Sequence, residues 1–333
     1  MDILPGPRGP ARLWYHVEPG LTALGVWTER IPGRGEDAEP LVLFHRPAAR
    51  GLLAVFDGVG GAGRRIAGRG ADGSVRTQAW VASRRLRGLV EEWFAAGGPP
   101  GLREQIVARL GVGGHRPGRI RGSIHREFPT TFAGLTFDVA DVEVGWTVHW
   151  AGDSRCYLAS PGGGLNQLSR DDAEGGDALE LLLQDPPMTN VVCAGRPFEI
   201  HECRGRSALP CLLICATDGF FGYVDTPAQF ELLLWETLLS AQDCLHWSVL
   251  LAERVSEYTG DDASLAVVGL GFADFAALRA SFRERADLLD VEHAEPMRRV
   301  RPGDQPALVA AREASWQAYR RDYERRLPGR GRP

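Results

Sequence analysis

LLAVFDGVGG, Leu52 to Gly61, sets five apolar residues ahead of an aspartate and a turn made largely of glycine. A short apolar run closed by turn residues reads as a buried strand, so Asp57 stands where a rigid element opens onto a crevice. Gly58, Gly60 and Gly61 carry no β-carbon, and their backbone can approach an ion or anion that bulkier residues would exclude. Gly58, Gly60 and Gly63 also spell GxGxxG, the dinucleotide-binding pattern. That pattern needs a helix at once and an acidic residue about 20 positions on. Here RRIAGRGADG follows, too glycine-rich for a firm helix, and the acid position holds Gln78. The remaining reading makes Asp57 a metal ligand, whose partners the rest of the chain must supply.

Upstream, residues 1–19 are interrupted by Pro and Gly and read as an N-terminal arm. Leu21–Thr28 reads as a strand, Glu29–Asp37 as a loop ending in two acids, and PLVLF as a strand joined to Leu52–Phe56 through HRPAARG. Downstream, apolar residues from Ser74 to Ala96 recur at three and four, which predicts a long amphipathic helix. GGPPG stops it, LREQIVARL starts another, and GVGGHRPGRIRG is a basic, glycine-rich break. From Thr130, TTFAGLTFDV, VEVGWTVHWAG, SRCYLAS and LNQLS alternate between turns and predict one antiparallel meander. Arg170 to Gly195 reads as a mobile excursion. LPCLLICA (Leu209–Ala216) is a buried strand ending at Thr217 and Asp218, helices follow over about 228–239 and 243–258, and GDDASLAVVGLGF closes the pattern with a strand. The nine or ten strands this predicts must bury both faces, and the helices between them are the available cover. The expected class is α+β, a four-layer αββα sandwich of two antiparallel sheets flanked by helices.

The chain has 333 residues, 44% hydrophobic and 24% charged, with a net charge of −5 and no lysine. That is a soluble globular composition. Six cysteines show no CxxC pair and no zinc-finger spacing, so neither a zinc module nor a disulfide framework is expected. No signal-like leader and no run of 18 apolar residues occurs, and a cytoplasmic, non-membrane protein, monomeric, is the expectation. Residues 298–333 hold ten arginines against four acids. Leu308, Trp316, Tyr319, Tyr323 and Leu327 fall near one helical face there, which predicts a helix packed on the body. The acids interrupt the basic patch, so nucleic-acid binding is not the expectation.

Acids stand in similar turn contexts at Asp57, at Asp218 and at Asp261 with Asp262, and Glu36 with Asp37 makes a fourth acidic point. Hard divalent cations take oxygen ligands, and two ions about 4 Å apart can share a carboxylate. In order and approximate spacing, DGVGG (57–61), PTTFAG (129–134), AGDSRCYL (151–158), LSRDD (168–172), ATDGFFGYV (216–224) and GDDAS (260–264) resemble the metal-dependent protein Ser/Thr phosphatases of the protein phosphatase 2C type. The resemblance covers about residues 20–272 as a catalytic domain, leaving 273–333 as a helical, Arg-rich extension.

The resemblance implies two Mn2+ or Mg2+ ions in a cleft at one end of the sandwich. Asp57 would bridge them, and Gly58 would offer its carbonyl to one. Asp218 and Asp261 would hold one ion, Glu36 would reach the other directly or through water, and Asp37 would lie behind as support. Asp153 matches the residue for a weaker third metal, and Asp262 would be structural. Water held by such a pair loses a proton near neutral pH and can attack phosphorus in line. Arg30, with Arg34 as the alternative, would clamp the phosphate of a phosphorylated protein substrate. The competing function is a catalytically silent phosphatase-like module that binds a phosphorylated partner.

Overall fold

The computed structural model describes residues 11–71, 73–110, 126–184 and 186–329. The break expected at GVGGHRPGRIRG and the first ten residues of the expected arm lie outside these. In chain order the strands are β1 (Arg12–Glu18), β2 (Leu21–Thr28), β3 (Leu41–His45), β4 (Arg50–Val55), β5 (Ile66–Arg69), β6 (Val75–Thr77), β7 (Glu127–Thr130), β8 (Phe132–Val139), β9 (Glu143–Ala151), β10 (Arg155–Ser160), β11 (Gly164–Gln167), β12 (Val192–Ala194), β13 (His201–Ala208), β14 (Cys211–Ala216) and β15 (Ala263–Leu270). One sheet has the order β1-β2-β15-β14-β10-β11, the other β13-β9-β8-β4-β3, and β5 with β6 and β7 with β12 form small two-stranded pairs. Every pairing is antiparallel.

The four layers follow from strands buried on both faces. In β4, Leu53 and Val55 pack between the sheets, against Leu213, Cys215, Ala266 and Val268. Their neighbours Leu52 and Ala54 pack on the other side, under Leu86, Val90 and Trp93 of the helix Gln78–Ala95. Side chains alternate along a strand, so two opposed apolar faces read as a continuous apolar run. Leu24, Val26, Ile214 and Val267 turn outward from the six-stranded sheet and pack on Trp235, Leu238, Trp247 and Leu251, from the helices Pro227–Ser240 and Cys244–Tyr258. Cys211 and Cys215 share the inter-sheet face as small buried side chains, and all six cysteines are free thiols.

Four expectations change. Arg12–Glu18, expected within an arm, is an edge strand paired along its whole length with β2. Its mixed pattern of aromatic and charged residues is that of an edge half open to water. The expected meander is split: β8 and β9 pair in one sheet, whereas β10 and β11 belong to the other. The chain crosses at Gly152, whose φ of +104° and lack of a β-carbon against Thr131 permit the turn. The long helix begins at Gln78 rather than Ser74, because Val75–Thr77 pairs with Ile66–Arg69 and the Thr77 side chain caps the helix by accepting from the Trp80 N–H at 3.0 Å.

The excursion after Arg170, expected to be mobile, is fastened at several points. Asp172 accepts from the Gly152 N–H at 2.9 Å and from Asn190 at 2.7 Å, and meets His201 at 2.9 Å. Asp177 caps the helix Ala178–Gln184 and accepts from Trp316 at 2.7 Å and Arg320 at 2.9 Å. Both of those donors lie on the C-terminal helix Gln305–Tyr323, which buries Trp316, Tyr319 and Tyr323 against the outer face of the six-stranded sheet and its helices. No helix among the described residues is long and apolar enough to cross a membrane.

Candidate active site

Strand register brings the acidic points to one end of the sandwich. In the six-stranded sheet Thr28 pairs with Ala263, Leu265 with Ala216, and Ala216 with Arg155. The loops carrying Glu36 and Asp37, Asp261 and Asp262, Asp218, and Asp153 therefore leave the sheet at the same edge. In the facing sheet Val55 pairs with Ala133 and Phe132 with Ala151, so Asp57 emerges at the corresponding edge. Asp57 also continues the parity of Leu53 and Val55, the side of β4 that faces the other sheet.

The backbone around Asp57 is held tightly. The Thr130 hydroxyl donates to the Asp57 carbonyl at 2.7 Å, the Thr131 N–H donates to it at 2.8 Å, and the Asp57 N–H donates to the Thr131 hydroxyl at 3.3 Å. Thr131 in turn meets Ser154 at 2.6 Å, beside Asp153. Asp37 is buried, accepts from the Thr217 hydroxyl at 2.9 Å, and lies within hydrogen-bonding reach of the Asp57 carboxyl. Thr217, next to Asp218, also receives the Ser264 N–H at 2.9 Å, which ties the ends of β14 and β15 together.

Asp262 organises the loop opposite. Its carboxylate accepts the Arg30 N–H at 2.7 Å and the Glu36 N–H at 2.6 Å, and so fixes both ends of the Arg30–Glu36 turn. Glu36 is further gripped by the Thr77 hydroxyl on its carboxylate, and by Ser83 at 2.6 Å and Arg84 at 3.1 Å on its carbonyl. Added β-carbons show how close the packing is. One at Gly60 would collide with the Glu36 carboxylate, and one at Gly58 would meet the Glu36 and Ala79 carbonyls. The glycine-rich turn thus serves as a cradle for Glu36, and the helix after Gly60 is only four residues long, not the helix a dinucleotide needs.

Electrostatics show how closely the acids gather. Burial first, then the neighbouring Asp262, Asp218 and Asp261, push the Asp37 carboxyl well above the ordinary carboxylate range. Burial, then Asp37, Asp153 and Asp261, do the same to Asp57. Glu36 is raised by burial and by Asp262 and Asp261, against the opposing hydrogen bond from Thr77. Asp262 is raised by burial, offset in part by the two N–H groups it accepts. Like charges in a desolvated pocket disfavour joint ionisation unless a cation is present.

The structure therefore gathers Glu36, Asp37, Asp57, Asp153, Asp218, Asp261 and Asp262 about one crevice. It leaves the Arg30 and Arg34 side chains exposed on the rim, with the Arg30 backbone N–H donating to Asp262. Thr130, Thr131 and Thr217 lie within motifs the sequence already showed, without a role assigned to them, whereas Thr77, Ser83 and Arg84 carry no sequence signal of their own and are ordinary residues until the fold sets them behind the acids. Burial pushes the Arg84 guanidinium down to about 10 despite the nearby Asp37 and Glu29 carboxylates, and it stacks over Trp80 at 4.2 Å.

As donors for a metal, these residues are all oxygen and all anionic, the set that suits Mg2+ or Mn2+ rather than a softer ion. Among the described residues, no group of three or more His, Cys, Asp or Glu side chains is placed so that it could hold a metal ion as it stands. The fit rests on the donor chemistry, on the unneutralised crowding of carboxylates and on the Gly60 cradle.

No protein-family sequence profile matches the chain, and no curated protein sequence does. Solved structures do. The PPM Ser-Thr phosphatase MsPP from Mycobacterium smegmatis, solved with cacodylate, superposes with a TM-score of 0.51 at 18% identity over 76% of this chain and 100% of that one. This chain has the PPM phosphatase fold. RsbX, solved with magnesium, matches with a TM-score of 0.47 at 15% identity over 78% of this chain and 100% of its own. The serine/threonine phosphatase PstP/Ppp of Mycobacterium tuberculosis matches with a TM-score of 0.45 at 18% identity, covering 78% and 98%. The PPM fold joins two antiparallel sheets flanked by helices, as the nine or ten expected strands and the helices between them led one to expect.

Proposed function

We propose that the chain is a metal-dependent phosphatase that hydrolyses phosphoserine and phosphothreonine in proteins. The observation that carries this reading is the crowding of Asp37 and Asp57, both raised by burial, with the half-buried Asp218 and the exposed Asp261 close enough to raise them further, on a fold shared with PPM phosphatases. In this reading Asp57, Asp218, Asp261 and Glu36 hold two Mn2+ or Mg2+ ions with the Gly58 carbonyl, and Asp153 serves a weaker third. When bound, such ions supply an acidified water and offset charge on the phosphoryl oxygens.

The chain's own residues do the rest. Thr130 and Thr131 fix the Asp57 backbone, Asp262 sets the Arg30–Glu36 turn, and Asp37 packs behind Asp57. Arg30, carried on the rim by that turn, reaches toward a phosphate of the substrate, with Arg34 as its alternative. The catalytic unit spans residues 20–272 with β1 added at its edge, and residues 273–333 form its helical extension. The proposed setting is the cytoplasm, with whose reducing conditions six free thiols accord, and the proposed state is a monomer.

The test is turnover of a phosphothreonine peptide and of p-nitrophenyl phosphate with Mn2+ present. Folded protein that binds Mn2+ and turns over neither would sink the reading. It would leave the catalytically silent module that binds a phosphorylated partner.

A further inference from the structure

The hairpin β5–β6 grows directly out of the glycine turn at Asp57, and nothing in the proposed chemistry uses it. Its sequence is basic, with Arg64, Arg65, Arg69 and Arg76 against a single acid, Asp72. Arg64, Arg65 and Arg69 are exposed, and Ile66 and Val75 stand beside them at 65% and 43% exposure. Among the described residues neither Arg64 nor Arg65 forms an ion pair with a carboxylate. Yet an acidic crevice lies at the foot of the hairpin, and arginines placed only to neutralise it would turn inward.

The base of the hairpin is pinned to that crevice. The Gln78 N–H donates to the Arg65 carbonyl at 2.8 Å, the Thr77 hydroxyl donates to the Glu36 carboxylate, and Gly60 lies against the same carboxylate. Arg76 is braced over Trp80 at 4.1 Å from the ring centre. The result is a positive surface on an anchored stalk, next to the site where a phosphoryl group would bind. Fields of this kind steer and select anionic partners.

We infer that the hairpin is a docking surface for an acidic segment of a protein substrate, flanking its phosphorylated residue. This rests on the phosphatase reading and names its substrate class. A protein segment fits better than a nucleic acid for two reasons. Ile66 and Val75 offer apolar contact between the arginines, which a phosphodiester backbone cannot use. The crowded carboxylates beside the hairpin also repel a continuous polyanion, while a short acidic stretch ends before reaching them.

Two phosphothreonine peptides, one flanked by Asp and Glu and one by neutral residues, are compared with p-nitrophenyl phosphate on wild type and on R64E/R65E. The double charge reversal is expected to lower kcat/KM for the acidic peptide roughly tenfold through KM, to change the neutral peptide by less than about twofold, and to leave p-nitrophenyl phosphate unchanged. Equal loss on both peptides, or none on the acidic one, overturns the inference. R64Q/R65Q, which disturbs the fold less, is expected to give an intermediate loss for the acidic peptide.

If wild type turns over nothing, the phosphatase reading has failed, and fluorescence anisotropy of the labelled acidic peptide decides the surface separately. Binding that R64E/R65E abolishes supports the surface; no binding, or binding left unchanged, overturns it. A single-stranded RNA oligonucleotide that displaces the peptide at lower concentration than the unlabelled peptide also overturns it, in favour of a nucleic-acid surface.

Discussion

Charge is handled on opposite principles in the compensated clusters at Glu231 and Arg155 and in the acidic crevice. Behind the sheet, Glu231 is fully buried and fully answered: Arg285 donates to it at 2.9 and 2.7 Å, Tyr319 at 2.6 Å and Trp235 at 2.9 Å. Likewise Arg155 donates to Asp171 in a two-pronged contact at 2.9 and 2.7 Å and to the Tyr323 hydroxyl at 3.3 Å, while lying 4.2 Å over Phe221. Burial works against the Arg155 charge, and Asp171 together with Tyr323 and Tyr157 more than offsets it. At the crevice the acids face one another instead. A protein that satisfies its buried charges in one place and crowds them in another leaves the second set for something it does not itself provide.

That contrast should break first where compensation is most complete. Glu231→Ala would strand Arg285 without its partner, and a loss of about 3–5 kcal/mol in unfolding free energy is expected. Urea unfolding monitored by tryptophan fluorescence measures it, and a loss below about 1 kcal/mol would mean the cluster is not integral to the fold. The crevice should answer the other way. Asp218→Asn is expected to cut Mn2+-dependent turnover more than about a hundredfold, while the metal-free variant melts no lower than wild type, since one repelling charge has gone. A variant that melts markedly lower without metal would show that the crevice acids support the fold as the Glu231 cluster does.

Smaller effects sharpen the same comparison at the C-terminal helix. Tyr323→Phe removes a single hydroxyl from the Arg155 guanidinium and should cost about 0.5–1.5 kcal/mol with turnover unchanged. Thermal melting and a turnover assay together check it, and a loss of turnover at unchanged stability would instead tie the helix to catalysis. Smallest is His201, raised above its ordinary value chiefly by its hydrogen bond to Asp172. Because the folded form holds the proton more tightly, this contribution is full below the ordinary histidine range and is lost as pH rises through the folded value. At about a third exposed, it is worth less than about 1 kcal/mol. A melting curve against pH for wild type and His201→Gln should converge at alkaline pH and separate below neutrality.

Much of this was legible in the residues. The continuous apolar runs of Leu52–Phe56, Cys211–Ala216 and Ala263–Leu270 announced strands buried on both faces, and the acids at their ends announced the crevice. What the pattern lacked was pairing. A period of two places SRCYLAS in a strand, but only Gly152 and its contact with Thr131 move that strand to the other sheet. Arg12–Glu18 carries an edge strand's mixed pattern, which resembles a loop when Pro and Gly precede it. The tethers of the excursion after Arg170 come from Trp316 and Arg320, far away in the chain, and no local signal can name them. Thr131 and Thr217 lay within recognisable motifs but gained a role only beside Asp57 and Asp37, and Thr77 became part of the site only when the fold set it beside Glu36.

The central claim is that the crowded acids are a dinuclear metal site. A crystal soaked in Mn2+ and measured at the manganese absorption edge tests it most directly. The account predicts two anomalous peaks about 4 Å apart, with Asp57 oxygens between them and Asp218 and Asp261 at one of them. A well-diffracting soaked crystal with no peak among these carboxylates would contradict it.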